Sequence, residues 1–176
     1  MSSASRPDTV SVWDPLLRLF HWSLVASIAI AWFSEEGELT HRWSGYVALG
    51  LIAFRLIWGL VGPRHARFTS FVRSPFTALA YLIDEIRGRG RRYIGHNPAG
   101  GVMVVALLVM IAVTGITGWL SVTDRFFGDD LMSEIHEVSA NLLLACIILH
   151  VLGVVFASLM HRENLVRAMI TGRKAP

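Results

Sequence analysis

Charged residues are scarce in this sequence, and cysteine is almost absent. Only 16% of the 176 residues are charged, whereas soluble domains usually carry about 25%. That deficit excludes a disordered chain, a nucleic-acid-binding protein and a typical cytosolic enzyme. The single cysteine, Cys146, lies in an apolar run. The chain therefore contains no disulfide framework, no CxxC zinc or redox pair and no CxxCH motif for covalent haem attachment.

Long apolar runs dominate the sequence instead. A helix needs about 20 mostly apolar residues to cross the hydrocarbon layer, and four stretches qualify: 16–33, 41–61, 98–122 and 134–160. Tryptophans lie near the ends of these stretches, as in the aromatic belts of membrane proteins. We therefore predict an all-α integral membrane four-helix bundle that forms a single domain over residues 1–176.

The first apolar run has an alternative interpretation as a cleaved signal peptide. Arg18 precedes it, and Ala29-Ile30-Ala31 resembles a cleavage site. However, the run continues through Phe33, and its removal would leave three spans and break the charge pattern described next. A membrane span is therefore favoured.

Basic and acidic residues are segregated between the two sides of the predicted bundle. Thirteen of the 16 Lys and Arg residues, including Arg6, lie in segments 1–20, 62–97 and 161–176. The connections 34–42 and 121–137 hold eight acidic residues against two arginines. By the positive-inside rule, both termini and the long middle connection are predicted to be cytoplasmic, with the chain in the inner (plasma) membrane. The net charge of +3 therefore reflects membrane topology and predicts no nucleic-acid partner.

The middle connection contains a predicted amphipathic helix. Ser74-Pro75 is typical of a helix start, apolar residues then recur at helical spacing through Ile86, and Gly88 and Gly90 end the run. Several arginines follow. We predict a short interfacial helix between spans 2 and 3, lying on the cytoplasmic membrane surface with its basic edge toward anionic lipid headgroups.

Four of the seven histidines lie where an ionisable side chain is costly. Such residues inside a membrane usually mark function, and the four are His21, His41, His136 and His150. His65 and His161 are interpreted as solvated surface imidazoles. His96, just before the third span, is ambiguous.

The depths of the four histidines predict two pairs. His136 and His150 lie on nearly the same face of the fourth span, separated by a rise of roughly 21 Å. His41 opens the second span near the periplasmic side, and His21 lies about two turns inside the first span from the cytoplasmic side. Matched depths therefore pair His41 with His136 and His21 with His150.

Each pair suits a haem better than a transition-metal ion. Zinc and copper sites usually recruit carboxylates or thiolates as well, and the span interiors supply no acids and one cysteine. A haem needs two axial nitrogens and an apolar slot. Five glycines could form that slot or could serve close helix packing: Gly45, Gly50, Gly115, Gly118 and Gly153.

Arg55 is the one cation in the interior of a predicted span, at about the depth of His21 and His150. Its guanidinium could neutralise haem propionates. Alternatively, the side chain could snorkel toward the cytoplasmic headgroups, because Gly62 is only two turns away. We interpret Arg55 as a haem-binding residue.

Seven short fragments, spread over nearly the whole chain, form a specific set: FHW at 20–22, HRWSGY at 41–46, FRLIWGLVGPRHARF at 54–68, GHNPAG at 95–100, IHE at 135–137, LH at 149–150 and HRENLVRAMITG at 161–172. As a set they resemble the bacterial cytochrome b561 and nickel–iron hydrogenase b-type cytochrome family. The resemblance implies two non-covalent b-type haems, with His21 and His150 on the inner iron and His41 and His136 on the outer iron. It also implies electron transfer between membrane quinone or quinol and a periplasmic partner such as a hydrogenase, a molybdenum enzyme or a c-type cytochrome.

The sequence therefore predicts a dihaem cytochrome b of the respiratory chain. Two histidines per iron leave no open axial position, so electron transfer is expected rather than activation of a bound ligand. One branch of the family is similar to a superoxide:quinone oxidoreductase, but the short connection 34–40 leaves little periplasmic surface for a substrate funnel. A metal transporter and a structural membrane anchor are the alternatives from other classes.

Quinone is predicted to bind on the cytoplasmic side, at His96 and Asn97. These residues precede Pro98 at the start of the third span, and they could supply a hydrogen-bond donor and a route for protons. The resemblance adds that formate dehydrogenase relatives place an Asn beside the quinone head at this position. The alternative role of Asn97 is to cap the third helix.

Overall fold

Four long helices make up most of the protein, whose computed structural model describes residues 9–176. Arg6, one of the basic residues used above for orientation, lies outside that range. In chain order the elements are β1 (Val10–Ser11), α1 (Pro15–Phe33), α2 (Leu39–Val61), α3 (Phe68–Phe71), α4 (Pro75–Ile86), α5 (Pro98–Ser121), α6 (Asp130–Met160), α7 (Leu165–Thr171) and β2 (Arg173–Lys174). Helices α1, α2, α5 and α6 are long and apolar enough to cross a membrane, so the predicted all-α membrane bundle is confirmed.

Polar caps followed by proline determine where three helices begin. Asp14, Ser74 and Asn97 each accept a hydrogen bond from the backbone N–H three residues later, at 3.0, 3.2 and 2.6 Å. Proline then occupies the first helical position, where its missing N–H costs nothing. Helix α6 begins at Asp130, four residues before the predicted 134, because Asp129 caps it outside the apolar run.

Among the four long helices, α6 packs closely on α5 alone. Helix α2 lies against α1 and α5, and α5 lies against α6. Within residues 9–176, α6 does not pack closely on α1 or α2. The buried contacts of the bundle come from Leu17, Phe20, Leu24, Ala48, Ile52, Leu108, Ile111 and Leu143. The predicted histidine pairs therefore lie on helices that are not packed against each other.

Helix α4 has one face toward the bundle and one apolar face exposed. Ala78, Tyr81 and Glu85 are buried on the side that meets α5. The exposed apolar side chains are Phe76, Leu79, Leu82, Ile83 and Ile86. An exposed apolar stripe beside a membrane bundle suits contact with lipid. The predicted helix between spans 2 and 3 therefore forms, with the polar side chain of Glu85 turned inward, and its place on the membrane surface stays a prediction.

The first and last described elements meet at one end of the bundle. Val10 of β1 pairs with Lys174 of β2 in a two-stranded antiparallel sheet. The Gly172 carbonyl oxygen accepts hydrogen bonds from Val12 N at 2.8 Å and Trp13 N at 3.1 Å. Gly172 has φ 78°, and a Cβ there would lie 2.6 Å from the Trp13 carbonyl oxygen, so this position requires glycine. We call this pairing the terminal clasp; neither it nor α3 and α7 follows from the sequence pattern.

The long middle connection lies at the same end as the terminal clasp. Arg92 donates hydrogen bonds to the carbonyl oxygens of Ala175 at 2.6 Å and Pro176 at 2.9 Å. The connections 34–38 and 122–129 therefore lie at the opposite end of the bundle. The basic segments and the acidic connections are thus separated in space as well as in sequence.

Candidate functional site

Two histidines from different helices meet near the end of the bundle that holds the acidic connections. His41, in the first turn of α2, and His136, in the second turn of α6, have ring centroids 6.1 Å apart. Imidazole nitrogens bind first-row metal ions at about 2.0–2.1 Å, so two rings on one ion have centroids roughly 6 Å apart. The spacing therefore suits two axial ligands of one iron.

Backbone carbonyl groups hold both of these rings in place. Nδ1 of His41 lies 2.9 Å from the carbonyl oxygen of Ala31 in α1, and Nδ1 of His136 lies 2.9 Å from that of Thr114 in α5. Because a carbonyl oxygen only accepts, each Nδ1 carries the proton and donates it. Each neutral ring then keeps a free lone pair on Nε2, which is the arrangement of most metal-binding histidines.

The five glycines of the spans fall into two groups. A Cβ on Gly118 would lie 2.7 Å from Cε1 of His136, and a Cβ on Gly115 would lie 2.7 Å from Cδ2 of Leu49 in α2. These two glycines of α5 therefore permit close approach of a ring and of a neighbouring helix. The other three glycines face open space: Gly45, Gly50 and Gly153. Apart from atoms close to them in the chain, no atom of the described residues would lie within 4 Å of a Cβ at these positions. They are not explained by close helix packing.

A second pair of histidines lies nearer the clasp end of the bundle. His21 lies in the second turn of α1, and His150 lies in the second half of α6. Both side chains are partly buried. Nδ1 of His21 is shielded from solvent and has no hydrogen-bond partner within residues 9–176. Two imidazoles from two separated helices again offer two nitrogen donors, which is the donor set of a six-coordinate haem.

Arg55 is buried inside the protein, with 2% of its surface exposed. Its Nη2 donates to the Ala66 carbonyl oxygen at 3.0 Å, and its guanidinium lies 4.5 Å from the ring centroid of Phe68. The guanidinium is therefore held inside the protein, against the connection that follows α2. Nη1 is buried and has no partner in the described part of the chain. A buried cation with an unused donor favours a nearby anion.

Asn97 joins two helices as well as capping one. Its Oδ1 caps α5, and its Nδ2 donates a hydrogen bond to the Tyr81 hydroxyl of α4 at 3.2 Å. The capping role considered from the sequence is therefore present. The same side chain ties the start of α5 to the inward face of the interfacial helix.

His96 lies between two aromatic rings beside the terminal clasp. Its ring centroid is 4.7 Å from that of Trp13 and 4.5 Å from that of Phe71. Burial, and to a smaller extent the charges of Arg55 and Lys174, lower the pKa of His96 to about 3. Burial therefore favours the neutral form of the imidazole.

His161 is not the solvated surface imidazole expected from the sequence. It ends α6, and its Nε2 lies 2.8 Å from Oε1 of Glu85, with side-chain exposures of 18% and 4%. Sequence reasoning missed Glu85 because an acidic residue in an interfacial helix is usually solvated. The available signal was the spacing of Tyr81 and Glu85, which puts both on one face of α4.

Comparison with known proteins gives one matching family and several similar chains. The family model for prokaryotic cytochrome b561 matches residues 12–172. The chain is similar to a probable Ni/Fe-hydrogenase B-type cytochrome subunit of Rhodobacter capsulatus, with 26% identity over 99% of this chain and 84% of the relative. A protein with the same name from Azotobacter vinelandii is 27% identical over 93% of this chain and 87% of the relative. No solved structure matches the chain significantly.

Proposed function

The chain belongs to the prokaryotic cytochrome b561 family, and we propose that it carries electrons between the quinone pool and a periplasmic redox partner. Family membership and four apolar helices make it a multi-pass membrane cytochrome b with haem as its cofactor. We propose further that residues 1–176 form a single domain and hold two b-type haems, one near each membrane surface.

The His41–His136 pair is the observation that carries this proposal. The rings lie 6.1 Å apart, and both Nδ1 atoms are occupied by backbone carbonyls, so both Nε2 atoms are free to bind. We propose that this pair holds the outer iron and that His21 and His150 hold the inner iron. Haem, when bound, supplies one-electron redox chemistry. Two histidines on each iron would leave no place for oxygen to bind, which would suit electron transfer.

Arg55 supports the inner site through its charge. Its buried Nη1 has no partner in the described chain, while its Nη2 and ring contacts fix the guanidinium in one place. We propose that Nη1 binds a propionate of the inner haem. A fixed cation at that point neutralises a charge that would otherwise be costly to bury.

The quinone head group is proposed to bind beside Asn97 at the clasp end of the bundle. An amide nitrogen has two hydrogens, and Tyr81 takes one of them. The second can reach a quinone carbonyl oxygen. His96, which is flanked by Trp13 and Phe71, is proposed as the second residue of this position.

The proposed orientation puts the clasp end in the cytoplasm and the acidic end in the periplasm. The segregation of basic and acidic residues supports it through the positive-inside rule. The Rhodobacter and Azotobacter relatives are named as hydrogenase subunits. We therefore propose a hydrogenase as the periplasmic partner, meeting the connections 34–38 and 122–129, with a c-type cytochrome or a molybdenum enzyme as the other candidates.

The haem content and the quinol reaction of the purified full chain test this proposal. A pyridine haemochrome assay is expected to give two haems per chain, and a quinol is expected to reduce both. Reporter fusions are expected to read cytoplasmic at Gly172 and periplasmic at Asp129. One haem per chain would overturn the two-site arrangement, and haems that quinol leaves oxidised would overturn the quinone assignment.

A further inference from the structure

A buried carboxylate and an imidazole lie in contact at a place that haem binding does not explain. Glu85 is 3% exposed, and its Oε1 lies 2.8 Å from Nε2 of His161. Both carboxylate oxygens are buried, and neither has a well-directed hydrogen bond in the described chain. A buried carboxylate with unused acceptor capacity is costly in its charged form. Uptake of a proton would relieve that cost.

Glu163, a nearby glutamate with two cationic partners, provides a comparison. Glu163, two residues after His161, pairs with Arg92 at 3.1 Å and with Lys174 at 3.2 Å. Its partners are thus two cationic side chains, a type that ordinarily stays charged near neutral pH. Glu85, in contrast, faces an imidazole, the side-chain type that most often shuttles protons. The two glutamates therefore have chemically different partners.

The Glu85 pair is linked through Tyr81 to the proposed quinone position. Tyr81 lies one turn before Glu85 on the buried face of α4, and burial raises the pKa of Tyr81 above its ordinary value. The Tyr81 hydroxyl accepts a hydrogen bond from Nδ2 of Asn97 at 3.2 Å and donates one to the carbonyl oxygen of Arg91 at 3.3 Å. Glu85 thus faces Tyr81 on α4, His161 at the end of α6 and the backbone at Gly90 in the following loop. Polar groups therefore lead from the end of α6 to the start of α5.

We propose that Glu85 and His161 form the site that exchanges protons with the cytoplasm during quinone chemistry, with Tyr81 passing each proton to or from the quinone. This inference rests on the proposed quinone function of the same end of the bundle. It assigns a proton route to residues that are neither haem ligands nor contacts of the proposed propionate.

The transfers balance in both directions. Reduction of a quinone takes two protons and two electrons, and haem held by the proposed ligands would supply the electrons one at a time. For each proton, the Tyr81 hydroxyl turns from the Arg91 carbonyl oxygen, and its O–H bond breaks as the hydrogen moves to the quinone oxygen. The Glu85 carboxyl then returns a proton to the tyrosine oxygen, the His161 imidazolium protonates Glu85, and His161 takes up a proton from the cytoplasm. Quinol oxidation reverses these steps, and two protons leave through His161.

Two matched glutamate substitutions in the full haem-loaded chain test the proposal. Glu85→Gln removes the proton carrier, and Glu163→Gln makes the same chemical change in the glutamate with two cationic partners. Each variant is mixed with a quinol, and the rate of haem reduction is followed from about pH 5.5 to 8.5, a range that brackets the ordinary histidine pKa. Loss of a positioned acid or base slows a reaction by about 100-fold or more, so Glu85→Gln is expected to be at least about tenfold slower. Glu163→Gln is expected to keep the wild-type rate.

Dithionite reduces haem without quinol, so it shows whether the haems of a variant are intact when the proposed proton step is lost. Glu85→Gln is expected to keep its haem content and its dithionite-reduced spectrum. His161→Gln, which keeps a hydrogen-bonding side chain but cannot titrate, serves as a second variant should Glu85→Gln fold poorly, and it is expected to flatten the pH profile. Wild-type rates and pH profiles in both variants would overturn the proton route alone. A wild-type chain whose haems dithionite reduces and quinol does not would instead overturn the proposed quinone function.

Discussion

Nδ1 of His136 lies 2.9 Å from the carbonyl oxygen of Thr114. Thr114 and Gly118 are one turn apart on α5, and Gly118 faces the same imidazole. One stretch of α5 therefore both fixes the direction of the His136 ring and leaves the room that the ring occupies. Helix α5 supplies none of the four proposed ligands, yet it determines where one of them points.

Gly118→Ala is expected to impair the outer haem alone. The new Cβ would lie 2.7 Å from Cε1 of His136, so the ring must move off its bond to Thr114. Loss of a group that orients a metal-binding histidine typically costs 10–100-fold in affinity. Haem content per chain after dilution in detergent measures the effect. The control is Ile116→Ala, because the Ile116 side chain is exposed on the same helix; equal haem loss in both variants would contradict the steric argument.

Substitution of single histidines is expected to remove one haem at a time. His41→Ala or His136→Ala removes the outer haem and keeps the inner one, and His21→Ala or His150→Ala does the reverse. Pyridine haemochrome quantification and redox titration of the remaining haem measure both outcomes. His65→Ala, in the connection after α2, is the control and is expected to keep both haems. Retention of two haems in any of the four ligand variants would remove that residue from the ligand set.

Arg55→Gln is expected to lower the midpoint potential of the inner haem. A buried cation beside a haem favours the reduced form, and its loss leaves the proposed propionate unpaired. A shift of roughly 30–60 mV is expected, where 59 mV corresponds to tenfold for one electron. A spectroelectrochemical titration that resolves the two haems measures it. Arg64→Gln, an exposed arginine in the adjacent connection, is the control; equal shifts in both variants, or a shift confined to the outer haem, would contradict the assignment.

Acid is expected to weaken the terminal clasp through Glu163. Burial alone would raise the pKa of Glu163, but hydrogen bonds from Arg92 and Lys174 outweigh it and hold the pKa below the ordinary 4.5. An acid whose folded pKa is depressed stabilises the fold above its unfolded pKa, and that stability is lost as pH falls through the folded pKa.

Thermal unfolding of the wild type and of Glu163→Gln in detergent measures this contribution. The wild type is expected to lose more of its Tm than the variant when the pH falls from 6 to about 3, past the unfolded pKa of a glutamate. About 2–4 °C is expected for each 1 kcal/mol of lost pairing in a chain of this size. Parallel decreases in the two proteins would show that other groups cause the acid sensitivity.

Hydropathy and helix caps predict most of the architecture from the sequence, for physical reasons. A span must be apolar over its full length, so 98–122 and Pro98–Ser121 nearly coincide. The start of α6 is displaced because Asp129 caps it in the polar region, where hydropathy carries no signal. The terminal clasp is unpredictable for another reason: β1 and β2 have two residues each, and their pairing depends on where the helices bring them.

Part of the candidate site could likewise be predicted from the sequence, and part of it could not. Depth alone predicts that His41 and His136 lie together, and the structure places their rings 6.1 Å apart; their role as ligands stays a prediction. The burial of Arg55 depends on Phe68 in a short helix that no periodicity marks. The Glu85–His161 pair joins two distant parts of the chain, and each residue alone is typical of a solvated surface.

The terminal clasp also imposes an order on synthesis. Val10 leaves the ribosome before the first span, and its partner Lys174 follows the last one, so the two strands can pair only after every intervening helix has been made. Contacts between distant parts of a chain form late because their loops are costly to close. Until then the backbone N–H groups of Val12 and Trp13 lack the Gly172 acceptor that holds them. A closed clasp therefore marks a chain whose insertion is finished, and proteolysis at its strands would distinguish complete molecules from stalled ones.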